Sequence, residues 1–121
     1  MKSTRWQKRV NTYAKIVAAM AIRMKPHERR TEILDAALRT ASAVGFMRMT
    51  RDDIARTAGC TAGLVTVRLG VMEKLRDEVM REAVKREVLP VVAEGIALRH
   101  RHAVRAPLEL RQRAAASLAL A

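Results

Sequence analysis

The chain has 121 residues, enough for one modest apolar core and too few for two independent ones, so a single domain with appendages is expected. Half of the residues are apolar, only Trp6, Tyr13 and Phe46 are aromatic, and no alternating β-branched run occurs; this excludes a sheet-based fold and points to an all-α class. Twenty-four Lys and Arg against twelve Asp and Glu leave a net charge of +12, which makes a polyanion the expected partner.

The charge is uneven. Residues 1–25 hold seven basic side chains and no acid, residues 26–80 hold nine basic and eight acidic groups, and residues 81–121 hold eight and four. The first segment is therefore the electrostatic arm. Within it Trp6, Val10, Tyr13, Ile16, Met20 and Met24 recur at steps of three and four, while Lys8, Arg9, Lys15 and Arg23 lie largely elsewhere. This pattern describes a basic amphipathic helix whose apolar side docks on the body or on a second subunit and whose basic side faces nucleic acid. The same composition also suits an organelle transit peptide.

Pro26 suits the first turn of a helix and Glu28 and Glu32 suit its positive end. Ile33, Leu34, Ala37, Leu38, Ala41 and Val44 form a helical stripe that Gly45 can close. Thr50 followed by Asp53 has capping-box spacing, which predicts a short helix from Arg51 to about Ala58, broken by Gly59. Thr61 can cap a third helix over Ala62 to Leu69, with Val65 and Leu69 inward and Gly70 at its end. A longer helix is expected from Val71, carried by Met72, Leu75, Val79, Ala83 and the offset row Met80, Val84 and Val88, with Pro90 ending or kinking it. Residues 91–104 and 108–120 each read as a further helix, separated by Pro107. The expected organisation is thus an arm over 1–25, a helical domain over 26–89 and a short extension over 90–121.

Two short helices joined by a turn at Gly59, flanked by longer helices, give the order in which a helix-turn-helix offers its second helix to the major groove. The stretches EILDAAL from Glu32, Val44-Gly45-Phe46, MTRDDIARTAG from Met49, TAGLV from Thr61 and Glu73-Lys74-Leu75 together resemble the DNA-binding domain of TetR-type repressors. The resemblance covers roughly 50 residues, between about Glu28 and Met80. It implies a homeodomain-like three-helix core and DNA-facing residues at Thr50, Arg51, Thr61, Ala62, Leu64, Thr66, Val67 and Arg68. The arm, through Arg5, Lys8 and Arg9, is placed to add phosphate contacts.

Two departures from the family stand out. The family often carries lysine where Ala62 stands and near Met72, aromatics where Thr66 and Arg68 stand, and an aromatic where Leu69 stands, so phosphate and base contacts are altered here. Ala62, Leu64 and Val67 offer no side-chain donors, which leaves Arg68 the best single candidate for a phosphate or guanine contact. Only some 40 residues follow Met80, so a full small-molecule effector pocket is not expected. That region reads instead as a homodimer surface using Val79, Val84, Val88, Leu108, Leu110, Leu118 and Leu120, because two recognition helices are needed to span successive half-sites.

Other signals are plain. His100 and His102 lack an evident third ligand and read as a solvated basic patch, and Cys60 reads as a packed thiol in a reducing, cytoplasmic setting. With no phosphate loop, nucleophile triad, cofactor motif, metal set or membrane span, the chain reads as a non-enzymatic regulator of transcription that binds double-stranded DNA, with repression the expected sign. The competing expectations are an architectural, weakly specific DNA-binding protein and a helical adaptor that keeps the helix-turn-helix as scaffold.

Overall fold

The computed structural model describes residues 25–119, all of whose regular structure is helical: α1 (Pro26–Val44), α2 (Arg51–Ala58), α3 (Ala62–Leu69), α4 (Met72–Lys85), α5 (Leu89–Ala97), α6 (Arg101–Val104) and α7 (Leu108–Ala119). The fold class is all-α, and no helix among the described residues is long and apolar enough to cross a membrane. The expected amino-terminal helix, with Arg5, Lys8 and Arg9, lies outside the described residues, as does Leu120.

The helix boundaries follow from local chemistry. Pro26 opens α1, where the backbone N–H of Lys25 donates to the Glu28 carboxylate, and Gly45 closes it at φ 108°, a conformation costly for any residue with a Cβ. At the start of α2 the Thr50 hydroxyl accepts from the Asp53 N–H while the Asp53 carboxylate accepts from the Thr50 N–H, each at 3.1 Å, a complete capping box. At its end Gly59 adopts the left-handed conformation, and the Cys60 N–H reaches back to the Ala55 carbonyl. Thr61 caps α3 by accepting from the Leu64 N–H at 3.2 Å.

Helices α2 and α3 have eight residues each, too short to persist alone, so tertiary packing holds them. Both pack against α1 and against each other, and α1 also contacts α4 and α5. Ile54, Ala55, Val65 and Leu69 are buried beneath them, each of the larger side chains contributing about 2 kcal/mol. A buried polar tie reinforces the apolar contact: the Thr40 hydroxyl on α1 donates to the Ala36 carbonyl at 2.8 Å and lies 3.1 Å from the Thr57 hydroxyl on α2. On the outer edge Arg30 pairs with Glu78 at 2.9 Å, and Arg86 bridges Asp35 and Glu82 at 2.7 and 2.8 Å, which fixes α4 along α1.

The second half departs from the expected outline at two places. Helix α4 stops at Lys85, short of Pro90, because Glu87 turns into the left-handed region at φ 56° and the Val88 N–H bonds back to the Ala83 carbonyl. Pro90 then lies in the first turn of α5, where its missing N–H costs nothing, so it starts a helix and does not end one. The expected helix over 91–104 is two helices, split where Arg99 adopts φ 57° and the His100 N–H returns to the Gly95 carbonyl. Both breaks use left-handed residues that are not glycine, the signal on which sequence reading of helix ends depends.

A single apolar cluster runs from Ile33 on α1 to Ala114 on α7 and crosses position 90 without a break. Helix α5 makes this possible by close approach: a Cβ on Gly95 would stand 2.5 Å from the Met80 methyl on α4 and 2.8 Å from the Ala103 Cβ on α6. Of the residues expected at a subunit interface, Val79 and Leu110 are spent in this chain's own core, since both lie inward on helices that pack on α5. Val84 and Val88 pack partly against the same core, and Leu108 and Leu118 remain 60% and 58% exposed.

Candidate nucleic-acid interface

The expected DNA-facing residues divide into three sets. Thr61 and Val67 are on the open side of α3, and Val67, 71% exposed, is the most prominent apolar side chain there. Ala62 and Leu64 are partly buried against the core, so they shape the helix's seating more than its outer surface. Thr50, Arg51, Thr66 and Arg68 surround the cleft side of the two short helices, with Thr50 exposed and the other three half-buried.

Arg51 and Thr66 form one unit. The Arg51 guanidinium donates to the Thr66 hydroxyl at 3.2 Å, and that hydroxyl donates onward to the Ala62 carbonyl at 3.3 Å. With its proton committed to the backbone, Thr66 is a clamp between α2 and α3 and has little left for reading a base. The Arg68 Nε is buried without a hydrogen-bond partner among the described residues. Such an unmatched buried donor costs about 1–3 kcal/mol.

A hollow of about 380 Å³ lies between the short helices and α4, lined by Thr50, Arg51, Asp52, Ala62, Met72 and Arg76. These positions are the cap and first residues of α2, the first residue of α3, and the first residue and second turn of α4. Three helix amino-termini therefore open on one depression, each with the positive end of its dipole. Arg51 and Arg76 add two full positive charges against one from Asp52, and the Arg76 Nε, like that of Arg68, is buried without a hydrogen-bond partner among the described residues. The arrangement suits one phosphate group. Sequence reading missed Arg76; the signal available was its position one helical turn after Met72 at the start of α4.

Asp53, which caps α2, is held below the usual carboxylate range by the Thr50 hydroxyl and N–H, so it stays ionised and leaves the Thr50 end of the helix ordered. The corner before α2 is fixed from the opposite side of the molecule, because the Glu94 carboxylate on α5 accepts from the Met47 N–H at 2.8 Å.

The His100 and His102 region differs from the expected solvated patch. Asp77 on α4 accepts both Arg101 Nε and Nη2 at 2.9 and 2.8 Å, with His102 Nε2 at 3.2 Å and His100 Nε2 at 3.8 Å. His100 caps α6 by accepting the His102 N–H on its Nδ1, and its ring meets Phe46 edge-on at 5.9 Å. Burial pushes the His100 imidazole below its ordinary value, opposed by Asp77, while Arg101 foremost holds Asp77 well below the carboxylate range. Asp77 is more than 20 residues away in sequence, which is why spacing did not reveal it. Among the described residues no group of three or more His, Cys, Asp or Glu could hold a metal ion. Cys60 is half-buried, and burial raises its thiol above the ordinary value, away from reactivity.

Compared with known proteins, the chain matches no family model, no curated protein and no solved structure.

Proposed function

We propose that this protein is a DNA-binding regulator of transcription, of the TetR-like kind its sequence resembles, in which α2 and α3 form a helix-turn-helix and α3 enters the major groove. The observation that carries the reading is the hollow where three helix amino-termini meet Arg51 and Arg76, directly beside α3. A phosphate held there sets the height and angle of α3 on the duplex. Val67 then meets a thymine methyl or packs on the groove wall, and the Arg68 guanidinium supplies the hydrogen bonds to guanine or phosphate. Repression by occlusion, as a homodimer, is the expected mode.

Arg68→Gln and Arg51→Gln separate the parts. Arg68→Gln is expected to weaken a preferred sequence by about tenfold or more while changing scrambled DNA little. Arg51→Gln is expected to weaken both alike and to reduce the salt slope by about one. Equal loss on both sequences for Arg68→Gln would favour the second reading, a weakly specific architectural protein. That reading is supported by how few donors α3 presents, with Val67 outermost and the Thr66 proton committed to the Ala62 carbonyl.

A further inference from the structure

An open groove of about 950 Å³ runs between the 45–49 corner, the first turns of α4 and the α5–α6 turn. Its apolar lining is Phe46, Met47, Val71 and Leu98, of which the last three are exposed although each is large and hydrophobic. Lys74 and Arg76 stand along the same groove. We propose that it binds a small amphipathic organic anion, a carboxylate on an apolar chain or ring, with Arg76 as its counter-ion.

The charges that line the groove decide the sign. Asp77 is engaged by Arg101 in two hydrogen bonds and by His102, and Glu78 is paired with Arg30 at 2.9 Å and with Arg81 at 3.9 Å. Neither is free to hold a ligand cation. Glu73 is the remaining acid, exposed in the first turn of α4. Against it stand Lys74 and Arg76, which line the groove and make no ion pair among the described residues. The groove therefore offers an apolar floor and two cations, Lys74 and Arg76, without an ion pair among the described residues, the combination that an apolar carboxylate satisfies at both ends. A helix from a partner protein fits less well, because the apolar floor is short and interrupted by the bidentate Arg101–Asp77 pair.

Arg76 lines both the groove and the hollow beside the short helices. A carboxylate drawn to it in the groove competes with a phosphate for the same guanidinium. The groove itself stands independently of any role in DNA binding, and its test uses no DNA.

The full chain, labelled with ¹³C-methyl methionine, is titrated with sodium decanoate below its micelle concentration and, separately, with decylammonium chloride. The Met47 resonance is identified by its loss in Met47→Leu. Decanoate is expected to shift the Met47 methyl saturably, decylammonium is not, and Arg76→Gln is expected to weaken decanoate binding by about tenfold, the worth of one charge-assisted contact. Leu98→Gln, at an exposed position that leaves the core intact, should also weaken it, with an unchanged circular dichroism spectrum confirming the fold. Equal responses to the two amphiphiles, an unchanged affinity in a folded Arg76→Gln, or no saturable shift would each overturn the proposal.

Discussion

Replacing Gly95 by alanine tests the closest approach in the fold. The substitution adds a methyl carbon 2.5 and 2.6 Å from the Met80 methyl and sulfur and 2.8 Å from the Ala103 Cβ. Met80 and Ala103 are both fully buried, so the thioether has nowhere open to swing, and the Ala103 Cβ moves only with the backbone of α6. Overpacking of this kind costs about 3 kcal/mol at the upper end of its range, while alanine regains about 1 kcal/mol of helix propensity over glycine. The net loss is about 2 kcal/mol, or roughly a 10 °C fall in melting temperature for a domain of this size. Urea and thermal unfolding followed by circular dichroism measure it directly. Adding Ala103→Gly removes the more rigid clash and should recover part of the loss, giving a coupling term of opposite sign to the two single effects. A Gly95→Ala protein as stable as wild type, or more stable, would refute the packing of α5 between α4 and α6.

Further outcomes follow from the helix ends and the charged junction. Gly59→Ala places its Cβ in open space, so the cost is the left-handed backbone alone, about 1 kcal/mol by urea unfolding. Arg99→Gly, at a left-handed helix end occupied by a side chain that makes no ion pair among the described residues, should instead raise stability by roughly 0.5–1 kcal/mol in the same assay. Thr61→Ala removes the hydroxyl that accepts the Leu64 N–H and should cost about 1 kcal/mol, together with affinity for DNA, as α3 frays at the end proposed to meet phosphate. Because His100 is depressed in the folded state, its neutral form is favoured there. Its contribution is complete above the ordinary histidine pKa near 6.5 and is lost as pH falls through the folded value. Asp77, also depressed, keeps its contribution until pH falls below about 3.8. Urea midpoints between pH 8 and 5 should therefore decline in the wild type and stay flatter in His100→Asn, which keeps a capping oxygen but does not titrate.

The first half of the fold was legible because its punctuation is local. Pro26, Gly45, the Thr50–Asp53 box, Gly59, Thr61 and Gly70 each act within a few residues, and the three helices they bound match the expected limits. The second half hides its breaks in Glu87 and Arg99, residues whose left-handed conformations are imposed by packing and not by their own preferences. The candidate site was legible in outline for the same reason: Thr50, Arg51 and Ala62 sit together as the order of short helices requires. What spacing could not supply were contacts between distant segments. The Arg51–Thr66 clamp depends on how α2 packs on α3, Arg76 beside three helix starts on how α4 meets the short helices, and Asp77 beside two histidines on how α4 meets α6. Val79 and Leu110 show the converse, since an apolar stripe looks the same whether it meets a second subunit or this chain's own α5.

The most direct test of the account is binding of the full protein to the DNA upstream of its own coding sequence and to a scrambled duplex of equal length, each across a salt series. The account predicts that the upstream duplex is bound on the order of a thousandfold more tightly at physiological salt, with both affinities falling steeply as salt rises. Coincident curves would contradict sequence-specific regulation, and absence of binding to either duplex would contradict the DNA-binding role itself.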